Sequence, residues 1–172
     1  YYNLISLTWH EFIKIRRKTK RSSKIMSDRI KKMLMRHEGV VCHLYKCKAG
    51  KNTIGVGRNL DDVGMSEDEV MYLLDNDIIR VENELDKNWG AWRTFPEDAR
   101  DSCIDLVFNL GIAGFMKFRK TRQLMELGLW LEASEEILRS KYAVQLPNRS
   151  AFNSRQLALC GQNGKDIRRS SK

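Results

Sequence analysis

The pattern of apolar residues changes once along this 172-residue chain, near residue 60, and that change restricts the fold more than any other feature. Before it come two short β-prone runs, VVCHLY at 40–45 and NTIGV at 52–56. They are separated by KCKAGK, whose Gly50 suits a hairpin turn. After Asp61 and Asp62 the spacing is helical to the end. Ser66 with Glu69 three residues on forms a capping box, and Val70, Leu74, Ile78, Val81 and Leu85 predict the buried stripe of a long helix. Pro96, followed by Glu97 and Asp98, opens another helix, in which Ala99, Cys103, Leu106 and Leu110 recur before Gly111. Further helices are predicted over 118–127, 130–141 and 149–159, punctuated by Gly128 and Pro147. Ahead of the hairpin, Ser27 and Asp28 start a short helix with Ile30, Met33 and Leu34 on one face, which stops near Gly39 and leaves Glu38 at its end. The expected class is α+β: a small N-terminal lobe with a β-hairpin at about 38–60, and a mainly α-helical C-terminal lobe at about 66–160, around a cleft.

Charge suggests a different kind of function until it is located. The chain has 31 Lys and Arg against 22 Asp and Glu, a net charge of +9 and a pI near 9.5. Seven basic side chains and one acid lie in residues 1–24, four basic and one acid in 161–172, and 20 of each sign in 25–160. The basicity belongs to a basic arm (1–24) and a basic, flexible tail (161–172), outside a neutral domain (25–160). Such flanks are either solvated arms or contacts for an anionic surface. No nucleic-acid-binding motif accompanies them, so no specific nucleic acid is expected as a partner. No run approaches the roughly 18 to 20 apolar residues of a membrane span. The opening YYNLISLTWHEF is too polar for the apolar centre of a signal peptide, so an export route is not visible in this chain.

Four cysteines, Cys42, Cys47, Cys103 and Cys160, are too few for a dense disulfide framework. Cys103, inside a helical apolar pattern, reads as a small buried hydrophobe. Cys42, His43 and Cys47 match no standard zinc spacing and lack a fourth ligand, so no zinc site is expected. Glu38 has two readings from its position alone. It is a solvated helix-end residue, or, beside Met33, Leu34 and Tyr45, a desolvated acid whose raised pKa keeps its proton near neutrality. Thr53 and Cys47 are likewise either ordinary strand and turn residues or part of a site.

Glu38-Gly39, Tyr45 and Thr53-Ile54-Gly55-Val56-Gly57 together resemble the catalytic hairpin of phage-type (T4-like) lysozymes. Later segments keep the same order: VFNLGIAGF at 107–115, WLEASEEIL from Trp130, and SKYAVQLPNR at 140–149. The likeness spans roughly residues 27–160. It implies a lysozyme-like fold and a cofactor-free muramidase that cleaves the β-1,4 bond between N-acetylmuramic acid and N-acetylglucosamine in peptidoglycan. By this resemblance Glu38 matches the general acid, and Thr53 the residue that helps hold the attacking water for inversion. Asn109 matches a saccharide contact, and Arg149 the arginine that pairs with the catalytic Glu across the cleft. A monomeric enzyme of cell lysis is expected, acting on the cell wall, in the host periplasm if it is a phage endolysin or after secretion.

The chain departs from the family's commonest pattern at Cys47, where most relatives carry an aspartate. A thiolate there would be anionic and could hold a water, provided its pKa falls, which Lys46 and Lys48 would favour. Some membrane-released members use a cysteine at this position and keep it capped in a disulfide. Along a straight strand Cys42 and Cys47 would be about 16 Å apart at ~3.3 Å per residue, against about 7 Å for a disulfide. A cap on Cys47 therefore needs a rearranged hairpin, and the alternative is that Cys42 points into the lobe's small core. The rival to an enzyme is a lysozyme-like peptidoglycan-binding module without turnover.

If the basic ends bring the domain to anionic envelope polymers, deleting both should weaken envelope binding at low salt, with the difference fading as ionic strength rises. A chain cut to 25–160 that binds isolated envelopes as well as the full chain at low salt would contradict this.

Overall fold

A computed structural model describes residues 28–170, with side chains through residue 162. The arm at 1–24 and most side chains of the tail lie outside the described residues. The chain divides into two compact units, Tyr1–Met65 and Ser66–Lys172.

In the first unit, helix α1 (Asp28–Glu38) carries Asp28 in its first turn and Arg36 and His37 in its last, the polarity that complements the helix dipole. It stops where the sequence requires. Gly39 adopts φ 75°, and its amide donates to the Met35 carbonyl at 3.1 Å. Strand β1 (Val41–Lys46) pairs antiparallel with β2 (Asn52–Gly55), with Tyr45 opposite Thr53 and Lys46 opposite Asn52. The register shifts between Val41 and Tyr45, a bulge in β1. A third strand, β3 (Arg58–Asn59), completes a sheet of order β1-β2-β3. Two residues give no alternation to read, which is why the sequence pattern showed the hairpin without β3. Thr53 is the one buried residue among those described in this unit. Cys42 is exposed, so it does not point into a core as one reading expected.

The second unit is helical. Helix α2 (Glu67–Trp89) begins with the expected capping box: the Ser66 hydroxyl accepts from the Glu69 amide, and the Glu69 carboxylate accepts from the Ser66 amide at 2.7 Å. A 3₁₀ turn (Gly90–Thr94) leads to α3 (Glu97–Phe115), which kinks at Gly111 (φ 66°, ψ 162°). Helices α4 (Arg119–Glu126), α5 (Trp130–Leu138), α6 (Lys141–Gln145) and α7 (Pro147–Ser170) follow. Helix α7 runs past the segment expected to end near 159.

The core of this unit gathers Val81, Leu85, Trp92, Leu106, Phe115, Met125, Ile137 and Leu157. Trp89 packs against Phe95 and Phe115, with ring centroids 5.3 and 5.5 Å away. Cys103 is fully buried here, as its apolar setting predicted. The predicted stripe of α2 is buried only from Val81 onward, and Val70 is exposed. A 23-residue helix is about 35 Å long at ~1.5 Å per residue, and only its second half reaches this core. The three strands follow one another between α1 and α2 and every later element is helical, the α+β class that the pattern implied. Among the described residues no helix is long and apolar enough to cross a membrane.

Leu157→Ala removes a fully buried side chain and should cost about 2–5 kcal/mol, whereas Ser66→Ala, which removes an exposed cap, should cost about 1 kcal/mol. Urea unfolding followed by circular dichroism checks both, and equal losses would mean the core is misassigned.

Candidate active site

The hairpin turn is built from backbone hydrogen bonds. The Gly50 amide donates to the Cys47 carbonyl at 2.8 Å, and the Cys47 amide donates to the Lys51 carbonyl at 3.0 Å. This three-residue connection needs a left-handed residue at its end, which Gly50 supplies at φ 77°. The turn folds residues 47–51 around the Cys47 sulfur. Hydrogen bonds from the Lys51 and Ala49 amides hold the Cys47 thiol below its ordinary pKa, and the Thr53 hydroxyl adds to the effect. Lys46 and Lys48, which the sequence put forward as the cause, are not what lowers it. The amides do.

Thr53 follows two residues later in β2. Its hydroxyl donates to the Lys51 carbonyl at 3.1 Å and also lies within hydrogen-bonding reach of the Cys47 sulfur. Strand pairing thus brings Cys47 and Thr53 together. Glu38 arrives from another direction, as the last residue of α1, and is exposed. Its carboxylate lies over the β2–β3 turn at Gly57: a Cβ added there would stand 3.0 Å from Glu38 Oε2. Gly57 also has φ 71°, so both space and backbone conformation favour glycine. The flanking Met33 and Leu34 are exposed rather than packed as an apolar wall.

Asn109 and Arg149 belong to the helical unit. Arg149, in the first turn of α7, is held by Asp105 of α3. Its Nε donates to both carboxylate oxygens at 3.0 Å, and its Nη2 donates to Oδ1 at 2.6 Å. Asn153 Nδ2 donates to Asp105 Oδ2 at 2.7 Å and to the Tyr142 hydroxyl at 3.3 Å. The Asp105 carboxylate keeps the Arg149 pKa above its ordinary value, so the guanidinium stays charged. Asn109 lies four residues after Asp105, hence on the same face of α3, and is exposed. A groove of about 530 Å³ runs past Asp105 and Arg149, with Leu74, Ile78 and Phe108 as apolar lining and Glu82 and Asp101 as acids. Among the described residues no group of three or more His, Cys, Asp or Glu is placed to hold a metal ion.

Gly57, Asp61 and Asp105 were not singled out from the sequence as parts of a site. Gly57 belongs to the Gly55-Val56-Gly57 run, where its closeness to Glu38 gives it a role. Asp61 sat in an Asn/Asp-rich stretch that reads as loop. Asp105 shows helical spacing to Asn109, but its arginine is 44 residues away.

A family model described as Phage lysozyme matches residues 35–155. Two curated proteins of Dictyostelium discoideum are similar. "Probable T4-type lysozyme 2" is 24% identical over 155 residues, covering 73% of this chain and 91% of the relative. "Probable T4-type lysozyme 1" is 24% identical over 154 residues with the same coverage.

All four cysteines are free, Cys42 exposed and Cys47 partly so, with Cys103 and Cys160 buried. Burial pushes the Cys103 thiol up, which makes it inert as well as inaccessible. A colorimetric thiol titration of native, non-reduced protein should therefore give two fast groups and four after denaturation. Two groups after denaturation would mean a disulfide.

Proposed function

This chain belongs to the phage lysozyme family and is a lysozyme-like glycoside hydrolase, and we propose that it is a muramidase that lyses bacterial cells by cutting the β-1,4 bond between N-acetylmuramic acid and N-acetylglucosamine. Peptidoglycan is the substrate and the cell wall the place of action, reached by secretion or in the host periplasm. The observation that carries this reading is the joint environment of Cys47 and Thr53. A thiol held below its ordinary pKa by backbone amides, next to a hydroxyl, is suited to hold a water where an aspartate would otherwise stand.

The chemistry assigned to these residues is inversion. Glu38 is assigned the general acid, which gives a proton to the glycosidic oxygen as the bond to the anomeric carbon breaks. Water held by the Cys47 sulfur and the Thr53 hydroxyl attacks that carbon from the opposite face, and the proton it sheds passes to the thiolate. Inverting enzymes keep the acid and the water-holding group roughly 6.5 to 9.5 Å apart so that a water fits between them. Asn109 and Arg149 are assigned to saccharide binding, and Asp105 holds the Arg149 guanidinium in place.

The rival, a module that binds glycan without turnover, predicts no new reducing ends from purified peptidoglycan. Glu38→Gln should slow lysis of outer-membrane-permeabilised Gram-negative cells by at least about a hundredfold, as expected for loss of a general acid. Its circular dichroism should match the parent's. Cys47→Asp should keep most activity while Cys47→Ser loses much of it. A Glu38→Gln protein that clears cells at the parent's rate would overturn the assignment of the acid, and equal inactivity of both Cys47 variants would overturn that of the water-holding pair.

A further inference from the structure

We propose that Asp61 is a positioning residue for Cys47 and Thr53, acting through the peptide group that joins Lys51 to Asn52. Strand β3 is two residues long, so its ladder with β2 runs out at Asn52. The Leu60 amide still donates to the Asn52 carbonyl at 2.7 Å. The Asn52 amide, which would next seek a carbonyl of β3, finds the Asp61 carboxylate instead: Oδ2 accepts from it at 2.9 Å, and Oδ1 accepts from Asn52 Nδ2 at 2.8 Å. Asp61 is held in turn, since its own amide donates to Asn59 Oδ1 at 3.0 Å.

The Asn52 N–H and the Lys51 C=O belong to one planar peptide unit, so fixing one end orients the other. That carbonyl is the acceptor for both the Cys47 amide and the Thr53 hydroxyl. A charged acceptor on the N–H also polarises the C=O and strengthens the bonds it receives. Asp61 thus sets the turn whose amides face the Cys47 sulfur. The two bonds from Asn52 keep the Asp61 carboxylate below its ordinary pKa, so it stays ionised across the working range. The inference deepens the water-holding role assigned to Cys47 and Thr53 and rests on it.

The test is alkylation of the full chain by iodoacetamide as a function of pH, with modification at Cys47 read by peptide mass, so it does not depend on hydrolysis. Loss of a nearby negative charge by itself favours a thiolate and would move the Cys47 profile to lower pH. Loss of the brace does the opposite. Asp61→Asn should move the midpoint to higher pH and slow Cys47 alkylation at pH 7 by about threefold or more. Asp62→Asn, which loses only exposed partners, Lys51 Nζ and Asn59 Nδ2, should not raise it. Muramidase turnover, if the parent shows it, should fall in kcat with little change in KM.

A Cys47 profile that stays in place or moves down in Asp61→Asn overturns the proposal, as does an equal upward shift in Asp62→Asn. Should Asp61→Asn fail to fold, Asn52→Ala, which keeps the amide and loses only Nδ2, is read instead. A smaller upward shift supports the brace and an unchanged profile overturns it. A parent without muramidase turnover would remove the functional reading and leave the alkylation result standing on its own.

Discussion

One peptide group, between Lys51 and Asn52, is pinned at both ends. Its carbonyl accepts from the Cys47 amide and the Thr53 hydroxyl, and its N–H is taken by Asp61. In a unit where Thr53 is the single buried residue among those described, such polar bonds rather than a hydrophobic core decide where side chains stand. Fully satisfied hydrogen bonds hold geometry well, and an unmade one is costly. The sheet's local geometry, the turn around the sulfur and the pairing of Cys47 with Thr53 all depend on that group keeping its orientation.

The helical unit solves its positioning problem differently. Its helices bury a continuous core, and a polar network sits where α3 meets α7. Asp105 binds the Arg149 guanidinium through three hydrogen bonds, and Asn153, which also donates to the Tyr142 hydroxyl, holds the other side of the carboxylate. Charge pairing of this quality, partly withdrawn from water, fixes the direction of a long side chain that would otherwise roam. The first unit thus places Glu38, Cys47 and Thr53, and the second fixes the Arg149 guanidinium on Asp105.

Much of this was legible in the chain because local rules govern it. Ser66 and Glu69 announce the start of α2, Gly39 the end of α1 and Gly50 the hairpin turn, each through backbone constraints that act over a few residues. The order of Glu38, Cys47 and Thr53 pointed to the site. What the sequence hid depends on long-range geometry. The Asp105–Arg149 pair spans 44 positions, and β3 is too short for a pattern. Val70 carries the right period without a core to meet it. The lowering of the Cys47 pKa had a plausible cause in Lys46 and Lys48, but the actual donors are amides, which every residue carries and no composition reveals.

The charge that first suggested an anionic polymer lies outside the residues of the candidate site, with 25–160 balanced at 20 charges of each sign. The central claim is that Cys47 and Thr53 hold the water that attacks the sugar. Proton NMR of the reducing end first formed from purified peptidoglycan tests it most directly, before mutarotation mixes the anomers. Cleavage of a β-linkage with attack from the opposite face gives the α-anomer. A β-anomer formed first, or no new reducing end at all, would contradict it.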